Sequence, residues 1–299
     1  MPFERSESVA SEGRLRAARS AGTPVYASVH AESEHTGAQD AERSSFEVPR
    51  NVAEHFQLRL EDSFMLAPSV RHMAFARADG APFAFAPGQF VQIHFNYDDG
   101  KPTKRSYSVG TIGTGEGAVQ RLEIAVSYVE GGAATHLLGN LAHGGQVEAS
   151  GPYGRFCLME NDANTRYLLV ATGTGVTPYR AMLPQIDKLI ATRGCRFVLL
   201  YGARTEQELL YGEEFDAFAR THEGFAFHPC FSRGARAAPR AHDRLGYVQK
   251  VLPEFEPHPE HDIAYLCGNP DMVDATFNTL KEAGLPVQHI RREKYVSSR

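Results

Sequence analysis

Residues 166–190 are RYLLVATGTGVTPYRAMLPQIDKLI: a continuous apolar run, then a glycine-rich turn, then a helical pattern of apolar and polar residues. Similar apolar runs recur downstream as RFVLLYGA (196–203), FAFHPCFS (225–232) and DIAYLCG (262–268). Helical patterns lie between or after these runs, at 178–190, 207–220, 247–255 and 272–284. Strands that alternate with helices form βαβ units around a mostly parallel sheet. The sequence therefore predicts an α/β domain over residues 161–299.

The preceding part of the chain has a different pattern. Short β-rich runs occur as FVQIHF (90–95), RSYSV (105–109) and RLEIAVSYV (121–129), separated by turn residues such as Asp99-Gly100 and Gly131-Gly132. One helix is predicted among them, AATHLLGNL (133–141). Many short strands at this spacing indicate an antiparallel barrel or sandwich. We therefore expect a β-barrel domain over residues 48–160, followed by the α/β domain.

The first 47 residues differ in composition from both domains. They are rich in Ala, Ser, Glu, Arg and Gly, and large apolar residues are sparse. Such a composition buries too little apolar surface to offset the entropy of ordering the chain. We expect a disordered extension over residues 1–47. The competing interpretation is a targeting peptide, which Arg14, Arg16 and Arg19 favour and the interspersed acidic residues oppose.

The overall composition excludes several classes of protein. The 299 residues carry 31 basic and 36 acidic side chains, a net charge of −5, and 42% of them are hydrophobic. The sequence has no apolar run long enough for a membrane-spanning helix, and its mild acidity is unlike that of a nucleic-acid-binding protein. The four cysteines are far apart, which excludes a locally spaced cysteine metal site and suits a reducing cytoplasm.

Two segments point to a ligand at the carboxyl ends of the predicted parallel strands. Glycines 173 and 175 allow the backbone to approach a ligand closely, and the helix that follows offers free N–H groups to an anion such as a nucleotide phosphate. CGNP (267–270) ends the last apolar strand, so Cys267 is expected to face the same crevice as Thr174. A buried structural cysteine is the alternative, but Gly268, Asn269 and Pro270 favour an exposed turn.

A third segment lies in the predicted barrel. RSYS (105–108) offers an arginine for a phosphate, a tyrosine ring for stacking and a serine hydroxyl as hydrogen-bond donor. Taken alone, this segment is better explained as a cross-strand Arg/Tyr pair on the protein surface.

The combination is more specific than any single segment. RSYS, a glycine-rich turn with a helix, GPYGRF (151–156), GTGVTP (173–178), YGAR (201–204) and CGNP follow one another in an order that resembles the ferredoxin–NADP reductase family of flavoenzymes. The resemblance covers about Val48 to Arg299. It implies a barrel that binds FAD and an α/β domain that binds the pyridine nucleotide, which matches the fold class predicted above.

The resemblance implies a role for each matching residue of the barrel. Arg105 would bind the FAD pyrophosphate, with Ser106 beside it, Tyr107 would pack against the isoalloxazine ring, and Ser108 would hydrogen-bond near flavin N5. A second phosphate-binding turn would comprise Gly132, Ala133, Ala134 and Thr135. Members of the family often carry a basic residue before that turn, where this chain has Ser127 and Tyr128, so one phosphate contact is in doubt.

The nucleotide site is implied in the same way. Thr174 and Gly175 would contact the pyrophosphate or ribose, and Cys267 would lie beside the nicotinamide. A set consisting of Arg204, Ser232, Arg233, Tyr247 and Gln249 resembles the pocket that holds the 2′-phosphate and adenine of NADPH. A Ser hydroxyl beside an Arg suits a phosphate dianion. The alternative is that Arg233, Arg236, Arg240 and Arg244 simply solvate a polar loop.

Two further polar segments are candidate sites. Near the end of the chain, Tyr295 matches the aromatic residue that covers the flavin in the family, and Glu293 is a candidate proton relay; the alternative is an edge strand with an exposed tyrosine. His258, Glu260 and His261 form HPEH, which is expected to be a solvated loop because a metal needs more ligands in fixed geometry. No metal site is predicted.

The predicted function is therefore that of a cytoplasmic FAD enzyme. NADPH would deliver hydride to the flavin, and single electrons would pass to a separate ferredoxin or flavodoxin. Two alternatives stay open: an NADH-dependent reductase component of an oxygenase system, and a non-catalytic FAD-binding electron-transfer subunit.

Overall fold

The computed structural model describes residues 54–97, 99–113, 117–159 and 162–295. The predicted extension over residues 1–47 lies outside these ranges. Within them, no helix combines the length and the apolar character needed to cross a membrane.

The first half of the described chain is an antiparallel barrel. Its main sheet has the strand order β5-β4-β8-β1-β2-β7, and a short two-stranded sheet pairs β3 with β6. The strands are β1 (Glu54–Ala67), β2 (Val70–Arg77), β3 (Phe83–Ala84), β4 (Phe90–Asn96), β5 (Pro102–Ser108), β6 (Ala118–Val119), β7 (Leu122–Ser127) and β8 (Gln146–Tyr153). An isolated bridge between Val109 and Ile124 connects the end of β5 to β7, so the two edges of the main sheet meet.

Alternation of apolar and polar residues explains the barrel core. In β4, Val91 and Ile93 point inward and are fully buried, while their neighbours are more exposed. Leu122, Ile124 and Val126 do the same in β7. The helix predicted at 133–141 is α1 (Ala133–Gly139), which ends two residues earlier than expected and closes one end of the barrel with buried Leu138.

The second half is a six-stranded parallel sheet with helices, as predicted. The strand order is β12-β11-β10-β9-β13-β14. The strands are β9 (Arg166–Thr172), β10 (Arg196–Ala203), β11 (Phe225–Phe231), β12 (Arg244–Leu245), β13 (Asp262–Gly268) and β14 (Ile290–Lys294). The helices are α2 (Thr177–Ala181), α3 (Leu183–Arg193), α4 (Gly212–Thr221), α5 (Val248–Val251) and α6 (Pro270–Glu282). All seven residues of β13 are buried, as expected of a strand paired on both sides and covered on both faces.

Three predicted helices are shorter or more broken than the sequence pattern indicates. The helix predicted at 178–190 is divided between α2 and α3, with Pro184 in the first turn of α3. The helix predicted at 207–220 begins only at Gly212, because Tyr211 adopts a left-handed conformation with φ 55°. The helix predicted at 247–255 is α5 followed by a 3-10 turn over Leu252–Phe255.

A buried polar cluster joins the barrel to the α/β half. Arg180 of α2 donates through Nη1 to the carbonyl oxygen of Gly110 and to Glu123 Oε2, each at 2.6 Å, and through Nε to Glu214 Oε2 at 2.7 Å. Its guanidinium lies 4.8 Å from the centre of the Tyr211 ring. The Tyr211 hydroxyl in turn is 3.0 Å from Nδ1 of buried His72 on β2, whose pKa burial lowers to about 4. A neutral imidazole and a guanidinium paired with two carboxylates therefore connect the two halves.

Candidate active site

A cavity of about 630 Å³ lies where the barrel, the glycine-rich turn and the end of the chain meet. Eleven residues predicted from the sequence line it: Arg105, Ser106, Tyr107, Ser108, Gly132, Ala133, Ala134, Thr135, Thr174, Glu293 and Tyr295. They come from β5, from the start of α1, from the turn after β9 and from the segment at and after β14. The structure thus brings most of the predicted flavin-side residues together, and the individual roles assigned to them stay predictions.

Arg105 is oriented by its neighbours on the β4–β5 hairpin. Its Nη2 donates to the Tyr97 hydroxyl at 2.9 Å, and its Nη1 donates to the Lys104 carbonyl oxygen at 2.9 Å and to Thr103 Oγ1 at 3.2 Å. These hydrogen bonds go to neutral oxygens. The guanidinium therefore retains its full charge for an anionic ligand in the cavity.

Tyr107 and the turn before α1 form the opposite part of the lining. The Tyr107 side chain packs against the barrel core, and burial raises the pKa of its hydroxyl to about 12. Thr135 Oγ1 accepts a hydrogen bond from the backbone N–H of Val129 at 2.9 Å, which fixes the turn that Gly132 begins. The side chain of Thr135 is thus a structural element of the turn as well as part of the cavity wall.

The hydroxyl of Tyr295 connects the two halves of the site. It is hydrogen-bonded to the buried Ser108 hydroxyl of the barrel and to the Cys267 thiol of β13. The backbone N–H of Tyr295 donates to the Gly268 carbonyl oxygen at 2.8 Å, which continues the pairing of β14 with β13. Tyr295 therefore lies between the serine and cysteine that sequence reasoning placed on either side of the hydride path.

Cys267 differs from its predicted exposure. The turn after β13 is exposed at Asn269, but Cys267 is fully buried, and burial raises the pKa of its thiol. One reason is the close approach of the glycine-rich turn: a Cβ on Gly175 would lie only 2.3 Å from the Cys267 carbonyl oxygen. Gly175 is thus required for packing against Cys267.

Glu293 lines the cavity, and its pKa is raised from the ordinary value of a glutamate towards neutrality. It pairs in register with Cys267 across β13 and β14, and burial raises its pKa to about 7. Within the described residues no cation forms an ion pair with it. A carboxyl group that titrates near neutrality beside the cavity is suited to hold or release a proton.

Replacing Glu293 by glutamine is expected to remove one component of the dependence of stability on pH. Because its pKa is raised on folding, the folded protein retains a proton between about pH 4.5 and 7 that the unfolded chain has released. The contribution of Glu293 to the free energy of unfolding therefore falls by about 1–3 kcal/mol as the pH rises through this window, whereas buried His72, with its pKa lowered to about 4, contributes in the opposite direction. Urea unfolding of both proteins at pH 5 and pH 8 gives the Glu293 contribution as the difference between their pH dependences.

The exposed Glu282 on α6 provides the control for this measurement, because Glu282→Gln removes a carboxylate far from the cavity. An equal pH dependence in Glu293→Gln and the unmodified protein would mean that the carboxyl group is not buried in the folded state.

The residues predicted for the 2′-phosphate lie away from this cavity, at the carboxyl ends of β10 and β11. The N–H of Ser232 donates to the Ala203 carbonyl oxygen at 3.0 Å, and that of Arg233 donates to the Arg204 carbonyl oxygen at 2.9 Å. Tyr247 is 56% exposed. The Gln249 side-chain oxygen is buried and has no hydrogen-bond partner in the described part of the chain. The residues predicted for the 2′-phosphate therefore lie close together, with the exposed Tyr247 ring beside them.

The arginines of this region differ in whether they already form an ion pair with a carboxylate. Arg204 is already bound to Glu208, Nη2 to Oε1 at 2.5 Å, so that pair must open before Arg204 can hold a phosphate. Arg240 lies 2.7 Å from Glu213, and Arg244 lies 3.3 Å from Glu254. Among the residues that the structure describes, the exposed Arg233 has no such ion pair. It is therefore the arginine of the predicted set whose charge is available to a ligand.

Sequence reasoning missed several residues of the site. Thr177 and Lys294 line the cavity. Thr177 belongs to the GTGVTP motif and Lys294 lies between Glu293 and Tyr295, so the sequence segments already contained the signal. Phe90, Ala125 and Val129 also line it, and nothing in their local sequence distinguishes them from other barrel residues. Ser127, where a basic residue was expected, lies in the cavity wall.

The histidine-rich segment is a surface feature. The donor atoms of His258, Glu260 and His261 lie within 4.8 Å of one another, and all three residues are exposed. The prediction of a solvated loop stays a prediction.

Comparison with known proteins identifies both halves. Residues 57–157 match the oxidoreductase FAD-binding domain, and residues 169–277 match the oxidoreductase NAD-binding domain. The fold and the cavity therefore define a two-domain oxidoreductase that uses FAD and a pyridine nucleotide. Ferredoxin--NADP reductase B of Sorangium cellulosum (strain So ce56) is 35% identical over 253 residues, which are 81% of this chain and 98% of that protein. The chain belongs to the ferredoxin–NADP reductase family.

Other relatives serve different electron-transfer systems. The phenol hydroxylase P5 protein of Acinetobacter pittii (strain PHEA-2) is 30% identical over 223 residues, but this chain spans only 59% of its length. A cytochrome P450 reductase from Amycolatopsis is 28% identical with a TM-score of 0.69, over 81% of this chain and 70% of that chain. A ferredoxin NADP+ reductase from Neisseria gonorrhoeae with bound FAD and NADP has a TM-score of 0.69 at 21% identity, over 80% and 98%. The last likeness supports the fold.

Proposed function

We propose that this chain transfers hydride from NADPH to FAD and passes the electrons one at a time to a separate ferredoxin or flavodoxin. The observation that carries the choice of NADPH is the exposed Arg233 beside Ser232 at the carboxyl ends of β10 and β11, where no described residue forms an ion pair with Arg233. The ferredoxin–NADP reductase from Sorangium supports the choice of acceptor. We also propose domain boundaries at 48–160 and 161–299 and a cytoplasmic location.

The residues of the cavity fit FAD. Arg105 offers a charge for the pyrophosphate, Tyr107 offers a ring at the wall, and the turn at Gly132 to Thr135 adds polar groups. The volume of about 630 Å³ lies within the range of about 300–1,000 Å³ typical of ligand sites. When bound, FAD supplies the redox chemistry, because it accepts a hydride and can release electrons singly.

The chain's own groups have separate tasks in this proposal. Ser108 and Tyr295 fix the hydrogen-bonding pattern at the reacting edge of the cavity, and Cys267 shapes the space behind Tyr295. Glu293 holds or releases a proton beside them, as its pKa of about 7 allows. Close positioning of donor and acceptor accounts for much of the rate of such transfers, so small displacements of these groups are costly.

Replacing Arg233 by alanine is expected to raise the KM for NADPH about tenfold and to leave the KM for NADH nearly unchanged. The reason is that loss of one charge-assisted contact to a phosphate costs about 1.5–3 kcal/mol, and an exposed contact lies at the lower end. Only NADPH carries the 2′-phosphate. Steady-state reduction of an artificial acceptor with each nucleotide measures both constants.

Arg220→Ala is the matched control, because Arg220 is an exposed arginine on α4 outside the predicted set. Equal losses for NADPH and NADH in Arg233→Ala would show that Arg233 supports the fold rather than the 2′-phosphate.

The relationship to the phenol hydroxylase P5 protein favours a second candidate, an NADH-dependent reductase that supplies an oxygenase. Stopped-flow measurements of flavin bleaching distinguish the candidates, including a non-catalytic FAD-binding subunit. Faster bleaching by NADPH supports the main proposal, faster bleaching by NADH supports the oxygenase reductase, and no bleaching by either supports the non-catalytic subunit.

A further inference from the structure

The loop between β11 and β12 contains a buried arginine that the predicted function does not use. Residues 232–243 begin with Ser232 and Arg233 at the end of β11 and return to β12 at Arg244. Arg236 lies in the middle of this loop. Its side chain is 2% exposed, whereas Arg233 and Gly234 before it are exposed.

Three carboxylates from three different segments surround the Arg236 guanidinium. Asp243 Oδ2 lies 3.4 Å from Nε, Asp216 Oδ2 lies 3.6 Å from Nη1, and Glu206 Oε1 lies 3.8 Å from Nε. Within the described residues Nε and Nη2 form no hydrogen bond. The interaction is therefore one of charge rather than of hydrogen-bond geometry: one buried cation faces three anions.

This cation also lies close to the predicted 2′-phosphate residues. The guanidinium is 5.6 Å from the centre of the Phe231 ring, and Phe231 directly precedes Ser232. Glu206 Oε2 accepts the backbone N–H of Ala237 at 3.3 Å, so the carboxylate and the loop are in direct contact. A phosphate bound by Ser232 and Arg233 would therefore experience the charge of this group of residues.

Arg236 is the cation whose charge offsets the negative charges of the Glu206 and Asp243 carboxylates. Arg240 pairs with Asp216 as well as Glu213. Towards Asp243 it offers only its backbone N–H, 2.9 Å from Oδ2, and its guanidinium forms no ion pair with Glu206 or Asp243 among the described residues. Without Arg236, those two carboxylates would keep their negative charge beneath the loop. At about 10 Å and an effective dielectric constant of about 20, each would oppose an incoming dianion by more than RT. NADH lacks the 2′-phosphate, so repulsion by these carboxylates would weaken its binding much less.

We propose that Arg236 is a positioning and specificity-determining residue, whose positive charge neutralises Glu206, Asp216 and Asp243 and so leaves the charge of Arg233 available to the 2′-phosphate. The inference rests on the proposed use of Ser232 and Arg233 for NADPH. It assigns the discrimination between the two nucleotides to a buried side chain that touches neither of them.

Binding of 2′,5′-ADP and of 5′-AMP to the FAD-loaded protein, measured by calorimetry, tests this inference. The ratio of the two dissociation constants reports on the 2′-phosphate alone. Arg236→Met is expected to reduce the preference for 2′,5′-ADP about tenfold, with 5′-AMP binding nearly unchanged. Arg236→Lys keeps the charge and is expected to stay within about threefold of the unmodified protein. An unchanged preference in Arg236→Met, or an equal loss in Arg236→Lys, overturns the inference.

Glu206→Gln provides a test of opposite sign that does not depend on removing the buried arginine. The amide retains an oxygen for the Ala237 N–H and removes only the negative charge. If Arg236 acts by charge, the preference for 2′,5′-ADP should rise about two- to threefold. If Arg236 only holds the loop in place, the preference should fall or stay constant, which contradicts the inference.

Binding of the two compounds to the unmodified protein distinguishes a failure of this inference from a failure of the proposed function. A preference for 2′,5′-ADP over 5′-AMP that Arg236→Met leaves intact overturns the inference alone. Equal binding of both compounds by the unmodified protein overturns the proposed use of NADPH and this inference with it.

Discussion

Protein in which Arg105 is replaced by alanine is expected to lose most of its FAD during purification. The guanidinium is held over the cavity by Tyr97, Thr103 and the Lys104 carbonyl oxygen, so it is oriented before a ligand arrives. Loss of a charge-assisted contact of this kind costs about 3 kcal/mol, a reduction of about a hundredfold in affinity. The flavin released by heating, measured by absorbance per mole of protein and identified by chromatography, gives the result.

Lys101→Ala is the control, because Lys101 lies on the same hairpin, is exposed and pairs only with neighbouring Asp99 among the described residues. It should retain its flavin. Circular dichroism establishes that both variants are folded. A flavin content in Arg105→Ala equal to that of the unmodified protein would remove Arg105 from the cofactor site, and FMN in place of FAD would contradict the assigned pyrophosphate contact.

Replacing Arg180 by methionine is expected to lower the free energy of unfolding by about 3–5 kcal/mol, because it removes the buried donor of the Glu123 carboxylate and of the Gly110 carbonyl oxygen. Arg180 and Glu123 are only 12% and 15% exposed, and Arg180 bridges the barrel to the α/β half. In a protein of this size the change corresponds to a decrease of roughly 10 °C in the thermal midpoint. Differential scanning calorimetry of the FAD-loaded protein measures it.

The other arginine of the same cluster allows a matched comparison. Arg121 contacts Glu123 and Asp62, but its side chain is 44% exposed. Arg121→Met should therefore cost less than about 1 kcal/mol. Similar midpoints for the two variants would indicate that water reaches Arg180 in solution and that the cluster contributes little.

Sequence periodicity was sufficient for the architecture because both domains bury one side of regular elements. The run DIAYLCG is strand β13 without any change of boundary, since a strand covered on both faces is mostly apolar; its one charged residue, Asp262, is paired with Arg166. Helix boundaries were less accurate. The apolar pattern of Leu209 and Leu210 continues into α4, yet a left-handed Tyr211 separates them from the helix. Their burial against the core gives the same pattern without helical structure.

The candidate site was predictable to the extent that its residues lie in local motifs. RSYS and the segment before α1 are each contiguous in sequence, and they line one cavity. The burial of Cys267 was not predictable from CGNP, because it depends on Tyr295 and on the turn at Gly175, which are distant along the chain. The pairing of Arg236 with three carboxylates was missed for the same reason. Local sequence indicated only a polar loop with four arginines.

The buried polar cluster around Arg180 also restricts which domains of related proteins can be combined in one chain. Its acceptors Glu123 and Gly110 belong to the barrel, while its donor and the Glu214 carboxylate belong to the nucleotide-binding half. A chimaera that joined this barrel to a foreign second domain without a cation at that position would leave Glu123, among the described residues, with half-exposed Arg121 and with His72 at 4.0 Å. Two domains from different relatives therefore need matching charges where they pack against each other. Having the same two folds is not enough.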